Sequence, residues 1–281
     1  MNASVLIQIA VHNESSFLKQ AYAEPPFRVA NITETRNPQQ LELMLMSSSP
    51  GVLDEDCYNI SIRLEENSAL QLTTQSYQRL FSMTKGARQN MVVHMAKSSS
   101  LVYLPHPVVP HESAVFKAAN KIYISESCNL IWAEILTCGR KLNGERFLFS
   151  FYHTVTEIFL NDKLVVKENL RMAPGSIETG VVGQLEGFTH QASLLYLSPS
   201  CLINEKKEAI LAYLLTQKDI LSGVTTAPVN GLIIRMLGNG AEQLFDCVKK
   251  IAGLINFKAK GSTLRLSAGG AGFAGVGLPV R

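Results

Sequence analysis

The residues best suited to bind a metal are His106 and His111, which stand five positions apart in the segment YLPHPVVPHESAVF, residues 103–116. Imidazole nitrogen is a common ligand of transition metals, so the pair first suggests a chelating site. Three prolines in the segment fix their own φ angles and hold the residues before them in extended conformations. Five extended residues span up to about 17 Å, so both rings cannot reach one ion unless the chain folds back. We therefore interpret the segment as a rigid structural element.

Carboxylates are the second candidate group, and they are scattered through turns and strand-like segments: Asp54, Glu55, Asp56, Glu112, Glu134, Glu145, Glu157 and Glu168. In a β protein such residues usually lie at solvated edges or in loops. One catalytic alternative is a carbohydrate-active enzyme with a pair such as Glu134 and Glu145, which would have to lie about 5–10 Å apart. This alternative also needs aromatic platforms for sugars, and the chain has one tryptophan, Trp132.

Sequence motifs of other functional classes are either absent or lack the structural context that they need. A GxGxxG pattern at residues 270–275 is followed by only a few residues, whereas a dinucleotide site needs a βαβ unit and an acidic residue about 20 positions later. The sequence has no GxxxxGK[ST], GxSxG or HExxH motif. Its six histidines do not cluster with cysteines, so we do not expect a tight structural zinc site.

Composition favours a globular cytoplasmic protein. The apolar fraction is 46%, and the net charge of +3 comes with no long basic run that would bind nucleic acid or an anionic membrane. The five cysteines are scattered without a CxxC pair, as is typical of reduced thiols. The N-terminus lacks the features of a signal peptide, and no stretch reaches the ~18 apolar residues of a membrane helix.

The elements that must position these residues are mostly strands. From residue 3 to about residue 200, alternating segments rich in β-branched and aromatic residues are broken by Gly, Pro, Asn and Ser; examples are YNISIRL, LQLTTQS, NMVVHMA, SLVYLP, KIYIS, NLIWAEILT, FLFSFYHTVTEIFL, KLVVKENL and ASLLYLS. Their spacing without intervening helices predicts a mainly β architecture. A stacked, solenoid-like arrangement also fits, although no clean repeat is visible.

Two helices are predicted, both late in the chain. NEKKEAILAYLLTQ begins with Asn204 as a possible N-cap, and NGAEQLFDCVKKIAGLI has the capping-box-like pair Asn239 and Glu242. GLIIRMLG between them reads as a strand, so residues 205–256 are expected to form a small α+β part of one β domain, residues 1–257. The Gly/Ala-rich tail, residues 258–281, is expected to be mobile.

Five segments in this order resemble one family: SSPGVLDED (48–56), LTTQSYQRL (72–80), YLPHPVVPHESAVF (103–116), GRKLNGERF (139–147) and TEIFLNDKLVVKENL (156–170). Each is weak alone, but together they are similar to the urease accessory protein family UreD, called UreH in some bacteria. The positions that carry the motifs are Gly51, Gln75, Arg79, Pro105, Pro107, Pro110, Gly139, Arg140 and Gly144. In two places the sequence departs from the family pattern: Asp54 and Glu55 replace small residues, and Arg79 stands where lysine is usual.

The resemblance implies a cytoplasmic protein. Its fold would be a β-helix-like stack of mixed sheets with two late helices. It also implies a non-enzymatic scaffold that binds apo-urease and UreF and, through UreF, the GTPase UreG, as a dimer of UreD–UreF heterodimers. The assembly would deliver nickel to the urease active site, with a water-filled tunnel through UreD as the route. No tightly bound cofactor is implied, only Ni²⁺ in transit. A purely structural adaptor that does not touch nickel is the alternative.

Three carboxylates become candidates for the nickel route through the resemblance: Asp56, Glu145 and Glu168. A route needs weak, successive contacts, and carboxylate oxygens release an ion more readily than a Cys/His cage. For Asp56 and Glu145 the alternative is a structural role, in which each caps a turn and Arg140 pairs with one of them. The histidines of the opening segment would be at most a local addition to the route.

Overall fold

Strands make up most of the chain. The computed structural model describes residues 1–35, 38–176, 178–198 and 203–255. In chain order the strands are β1 (Asn2–His12), β2 (Ser15–Ala23), β3 (Phe27–Asn31), β4 (Leu41–Ser47), β5 (Cys57–Leu64), β6 (Ala69–Thr74), β7 (Gln78–Leu80), β8 (Ala87–Met95), β9 (Ser100–Leu104), β10 (Val108–Pro110), β11 (Val115–Ile124), β12 (Asn129–Thr137), β13 (Phe151–Leu160), β14 (Lys163–Met172), β15 (His190–Leu197), β16 (Leu221–Thr226) and β17 (Gly231–Gly238). The helices are α1 (Ile203–Leu215) and α2 (Ala241–Ile255). The predicted mainly β class is confirmed.

The strands form two mixed sheets. Sheet I has seven strands in the order β14–β13–β11–β8–β5–β1–β2, and sheet II has ten, eight of them in the order β16–β17–β15–β12–β9–β6–β4–β3. The central strands of each sheet are parallel. The chain winds as a coil that passes from sheet II to sheet I and back. The short parallel strands β7 and β10 form a narrow third side of this coil. This coil is the β-helix-like stack that the family resemblance implied.

A column of leucines reveals the repeat that was not visible in the sequence. Leu41, Leu70, Leu101 and Leu130 are aligned on adjacent parallel strands of sheet II, about 30 positions apart in sequence. All four are almost completely buried. Side chains of a strand alternate between its two faces, so the aligned leucines share the face packed against sheet I. Burial between the sheets therefore fixes the register of successive coils.

Both helices pack on sheet II, where they form a second core with its strands. Side chains of α2 that are buried there are Leu244, Phe245, Cys247, Val248, Ile251, Ala252 and Ile255. Neither helix among the described residues is long and apolar enough to cross a membrane.

The predicted helix starts were wrong in detail. Asn204 lies inside α1, because the helix already includes Ile203. At α2 the carbonyl of Gly240 accepts the bond from the Leu244 N–H, and Asn239 instead accepts a hydrogen bond from the Thr189 hydroxyl. Glu242 accepts a hydrogen bond from Tyr77 rather than closing a capping box. Tertiary partners have replaced the local cap.

The predicted strand GLIIRMLG is β17, but its neighbour β16 was not predicted. The predicted mobile tail, residues 258–281, lies outside the described residues. The division into one domain and a tail therefore stays a prediction.

The packing between the two sheets gives a stability prediction. Leu72 is fully buried between the sheets, so Leu72→Ala should lower the free energy of unfolding by about 2–5 kcal/mol, since it removes apolar contacts and leaves a cavity. The fully exposed Leu142 is the control, and Leu142→Ala should change stability by less than about 0.5 kcal/mol. Urea denaturation followed by circular dichroism measures both. Equal effects would contradict the assignment of Leu72 to the core.

Candidate functional site

A cavity of about 280 Å³ lies inside the coil. Its walls are inward-facing residues of both sheets and of the third side, including Tyr58 on β5, Gln89 on β8 and Gln78 on β7. Its lining also includes the exposed residues Ser47, Pro50, Gln75 and Ser76, which places the mouth beside these loops. The motif residues Gly51, Arg79 and Pro105 line it as well. Three of the family-like segments therefore contribute to the lining of the cavity.

Aromatic rings form much of the inner wall. Tyr103 on β9 and Trp132 on β12 are register neighbours, and their ring centroids are 4.3 Å apart. Phe116 on β11 and Tyr152 on β13 are neighbours on sheet I, with centroids 6.1 Å apart. Each ring lies at an inward position of its strand. The sequence pattern of alternating strands thus brings aromatic residues from four strands around one space.

Glu134 is the carboxylate of this cavity. Its Oε1 accepts hydrogen bonds from Asn120 Nδ2 (3.1 Å), Trp132 Nε1 (2.9 Å) and Thr156 Oγ1 (2.6 Å). Asn120 and Thr156 are opposite each other on β11 and β13, and they also bond to each other at 2.9 Å. Three donors on one oxygen compensate for much of the cost of placing a carboxylate inside the coil.

Three other polar atoms of the cavity lack a hydrogen-bond partner among the described residues. Among the described residues, no hydrogen bond reaches Oε2 of Glu134 or the hydroxyls of Tyr103 and Tyr152. The two tyrosines are 7% and 5% exposed. Burial, reinforced by the charge of Glu134, raises the pKa of both phenols, so they are neutral hydroxyls. One carboxylate oxygen and two hydroxyls are therefore available to a polar or cationic guest.

Helix α2 contacts two residues that line the cavity, Tyr77 and His106. The His106 ring lines the cavity and packs against Phe245 of α2 in a tilted arrangement, with ring centroids 4.5 Å apart. Its Nδ1 lies 3.2 Å from Thr74 Oγ1. Burial lowers the pKa of His106, which favours the neutral ring. Tyr77 donates a hydrogen bond of 2.5 Å to Glu242 of α2. These contacts tie the mouth of the cavity to the second core.

His111 lies elsewhere. It is buried against Phe81, with ring centroids 4.8 Å apart, and it does not belong to the cavity lining. Within the described residues, no three His, Cys, Asp or Glu side chains come together as a metal site. The proline-rich segment thus places its two histidines in different surroundings, as the extended-chain argument predicts.

Asp56 is a buried structural group in this structure. Its Oδ1 accepts a hydrogen bond from the N-terminal ammonium of Met1 at 2.8 Å, and its Oδ2 accepts from Leu53 N (2.8 Å) and the Tyr58 hydroxyl (2.6 Å). Burial alone would raise the pKa of Asp56, but these donors outweigh it and hold the pKa of that carboxyl below its ordinary value. The geometry is that of the turn-capping alternative.

Glu145 and Glu168 are also engaged by cations. Both oxygens of Glu145 accept hydrogen bonds from Arg140, and the Glu112 N–H lies 3.4 Å from one of them. Arg235 donates to both oxygens of Glu168, at 2.9 and 2.8 Å. Asp56, Glu145 and Glu168 all lie outside the described lining of the cavity and do not come together. Their assignment to a nickel route stays a prediction, and nothing in these contacts favours it.

At two motif positions, Gly51 and Gly139, the surrounding backbone leaves no room for a side chain. A Cβ at Gly51 would stand 2.5 Å from the carbonyl oxygen of Arg79, so a side chain cannot fit between these turns. Gly139 has φ +117°, a conformation that favours glycine, and a Cβ there would meet the Pro110 carbonyl at 2.8 Å. Both glycines therefore allow neighbouring coils to approach closely.

Glu134 is the functional candidate that the family resemblance did not single out. Its signal in the sequence is a lone carboxylate inside the apolar run NLIWAEILT. A charged residue at an inward position of a buried strand needs internal partners. Trp132 lies on the same strand, but Asn120 and Thr156 come from β11 and β13, and only the register of the coils identifies those two.

Comparison with known proteins decides the family. The model of the UreD urease accessory protein family matches residues 1–267. The chain belongs to the UreD family. A urease accessory protein UreD of Flavobacterium johnsoniae is 48% identical over 239 residues, which cover 84% of this chain and 86% of the relative. UreD proteins of Actinobacillus pleuropneumoniae serotype 3 and Haemophilus influenzae strain PittEE are 34% and 35% identical over 241 and 250 residues, covering 83% and 85% of this chain and 89% and 92% of the relatives. The resemblance of the five segments to UreD is thereby confirmed.

The Asp56 network gives a pH-dependent prediction. Asp56→Asn should lower the free energy of unfolding by about 1–3 kcal/mol at pH 7, because buried donors lose a charged acceptor. The pKa of Asp56 is lower in the folded state, so its contribution is present above the ordinary aspartate pKa of about 3.9 and is lost as the pH falls below it. The difference between wild type and variant should therefore shrink in acid. Denaturation between pH 3 and 7 measures it.

The control for this experiment is Asp246→Asn, which removes the exposed partner of Lys249. That surface pair should contribute less than about 1 kcal/mol at any pH. A wild-type stability advantage over Asp56→Asn that did not change with pH would contradict the role assigned to the Asp56 charge.

Proposed function

We propose that this UreD chain is a non-enzymatic metallochaperone scaffold that helps to insert nickel into apo-urease. It would bind apo-urease and UreF and, through UreF, the GTPase UreG, as a dimer of UreD–UreF heterodimers in the cytoplasm. Membership of a family of urease accessory proteins supports the coarse role. The observation that carries the finer role is the interior cavity with its partly unpaired carboxylate, Glu134.

The chemistry of this cavity suits cargo better than a resident ion. A carboxylate oxygen and neutral hydroxyls are weak ligands for Ni²⁺. The carboxylate can also accept hydrogen bonds from water bound to the ion, and the hydroxyls can accept or donate them. Weak contacts admit an ion and let it leave. We therefore place Glu134, Tyr103 and Tyr152 on the nickel route within UreD, with the mouth at Gln75 and His106 as one end.

Asp56, Glu145 and Glu168, the carboxylates suggested by the family resemblance, are less suited to bind nickel in transit. Nickel would have to displace the N-terminal ammonium from Asp56, Arg140 from Glu145 or Arg235 from Glu168. Each displacement would leave a cation without its partner. Asp56→Ala and Glu145→Ala test their part: if both leave UreF binding and urease activation intact, these two residues are not on the route.

The two other functional hypotheses remain distinguishable. A carbohydrate-active site built on Glu134 and Glu145 would need both carboxylates in one cleft, whereas Glu145 lies outside the described cavity lining and is paired with Arg140. A purely structural adaptor would need no charge at Glu134. The adaptor is therefore the alternative that the experiments must separate from the nickel route.

Removal of the charge inside the cavity tests the route. Glu134→Gln keeps an oxygen acceptor of similar size but removes the charge that attracts a cation, so nickel content and activity of co-expressed urease should fall several-fold. The matched control is Glu157→Gln on β13, which replaces the partner of Lys167 outside the cavity. Metal analysis of purified urease and co-purification of UreF measure both variants. Unchanged nickel loading with intact assembly would favour the adaptor.

Omission of the chain tests the accessory role as a whole. Co-expression of the urease structural and accessory genes without this chain should yield urease with little nickel and little activity, while restoring the chain should restore both. The measurement is nickel per urease active site. Normal loading without the chain would refute the scaffold and the adaptor together.

A further inference from the structure

The outer face of sheet I is accessible in the described part of the chain. Both helices pack on sheet II, where they bury a second core. On β5, β8, β11 and β13 of sheet I, buried side chains alternate with side chains that are exposed or half-buried. Because side chains of a strand alternate between its two faces, the second set forms an outward surface across neighbouring strands.

Positive charge is concentrated on this surface. In the register of β5, β8, β11, β13 and β14, its charged positions are six lysines and arginines and one glutamate: Arg63, Arg88, Lys117, Lys121, Lys167, Arg171 and Glu157. Six positive charges against one negative charge exceed the net charge of +3 of the whole chain. The rest of the chain is therefore negative on balance, and the outer face of sheet I is distinguished by its sign.

Four basic residues stand side by side on this face. Arg88 on β8 is the register partner of Lys117 on β11, and Lys117 is the partner of His153 on β13. His153 is in turn the partner of Arg171 on β14. We call these four residues the basic row. Neighbouring strands are about 4.8 Å apart, so the row extends over about 15 Å.

The cations of the basic row are held without a carboxylate of the described chain. Arg88, Lys117 and Arg171 are exposed, and none of them forms an ion pair with a described residue. The Phe151 ring holds two of them, with Lys117 Nζ 5.8 Å and Arg171 Cζ 5.6 Å from its centroid. Like charges on neighbouring strands repel each other. An anionic partner would relieve this repulsion, which indicates that the row serves binding.

The aromatic rings of the same face argue against a single-stranded nucleic acid as this partner. Proteins that bind single strands offer open ring faces on which bases stack. Here Tyr123 is stacked between His94 and Phe159 from the two neighbouring strands, with ring centroids 4.8 and 5.0 Å apart. The Phe151 ring is shared by two cations. Neither Tyr123 nor Phe151 is an open platform for a base, so the charge of the row fits carboxylates of a protein better.

We propose that the basic row is a docking surface for an acidic segment of a partner protein. Arg88, Lys117 and Arg171 pair with carboxylates of that segment. In an extended segment, side chains on one side repeat every ~6.8 Å, so three carboxylates at alternate positions match the length of the row. No residue of the row lines the cavity, and the inference therefore does not depend on the nickel route.

Binding of an acidic peptide to the full-length chain tests the proposal. The probe is a fluorescein-labelled peptide of alternating glutamate and serine, and fluorescence anisotropy at low salt measures its affinity, because salt screens exposed charges. The triple variant Arg88→Gln, Lys117→Gln and Arg171→Gln should bind the peptide about tenfold more weakly or worse, because it loses three charges that face the peptide. The double variant Arg88→Lys and Arg171→Lys keeps the charges and should bind nearly as well as wild type.

The matched control removes three positive charges from the side of the molecule that carries the helices. It combines Lys207→Gln on α1, Lys218→Gln just after α1 and Lys250→Gln on α2. These positions do not belong to sheet I, so the control should bind the peptide with nearly wild-type affinity. Arg88→Gln alone leaves both contacts to the Phe151 ring in place, and it should weaken binding severalfold. Circular dichroism shows whether each variant is folded, and Arg88→Gln decides if the triple variant is not.

Four results would overturn the inference. The first is the absence of measurable peptide binding to the wild-type chain. The second is unchanged affinity in the folded triple variant or, if that variant is unfolded, in Arg88→Gln. The third is equal weakening in the control, which would assign binding to net charge alone. The fourth is tighter binding of a single-stranded oligonucleotide than of the peptide, lost in the triple variant, which would assign the row to nucleic acid.

Discussion

The alignment of inward-facing side chains from coil to coil is the constraint on which the rest of the structure depends. Parallel pairing stacks equivalent residues directly above one another, and the leucine column from Leu41 to Leu130 fills the interior between the sheets. A slip of one residue would turn every inward side chain outward. Each coil must therefore return to the same register, and differences in coil length are absorbed in turns such as the one that contains Gly139 and Gly144.

The cavity arises where this column changes character. Two residues along the strands, the equivalent positions are Leu43, Leu72, Tyr103 and Trp132, so aliphatic side chains give way to rings with polar ends. Flat rings do not fill the space as interlocking leucines do, and their hydroxyl and indole groups require partners. Glu134 follows Trp132 on the same face of β12 and accepts its indole hydrogen bond. The cavity is therefore a consequence of sequence changes in the last coils.

The sequence alone predicted the strands and the fold class, because alternation of apolar and polar residues is a local property. It did not predict the repeat, because one column mixes leucine, tyrosine and tryptophan. It also did not predict the helix caps, because Thr189 and Tyr77, which are distant in sequence, bind Asn239 and Glu242. Strand β16 was not predicted, because an exposed edge strand does not alternate clearly between apolar and polar residues. Two of the three partners of Glu134, Asn120 and Thr156, come from other strands, so most of its environment depends on register rather than on neighbours in sequence.

A comparison of the four carboxylates shows why cavity chemistry concentrates on Glu134. Asp56, Glu145 and Glu168 each have both oxygens occupied by protein donors, and in each case a cation is among them. Such groups are held for structure, because a new ligand must first break an ion pair. Glu134 receives three donors on one oxygen and none of them is a cation, which leaves its negative charge uncompensated by any ion pair in the described chain. A carboxylate fixed through one oxygen and open at the other can accept a further ligand without first breaking an ion pair.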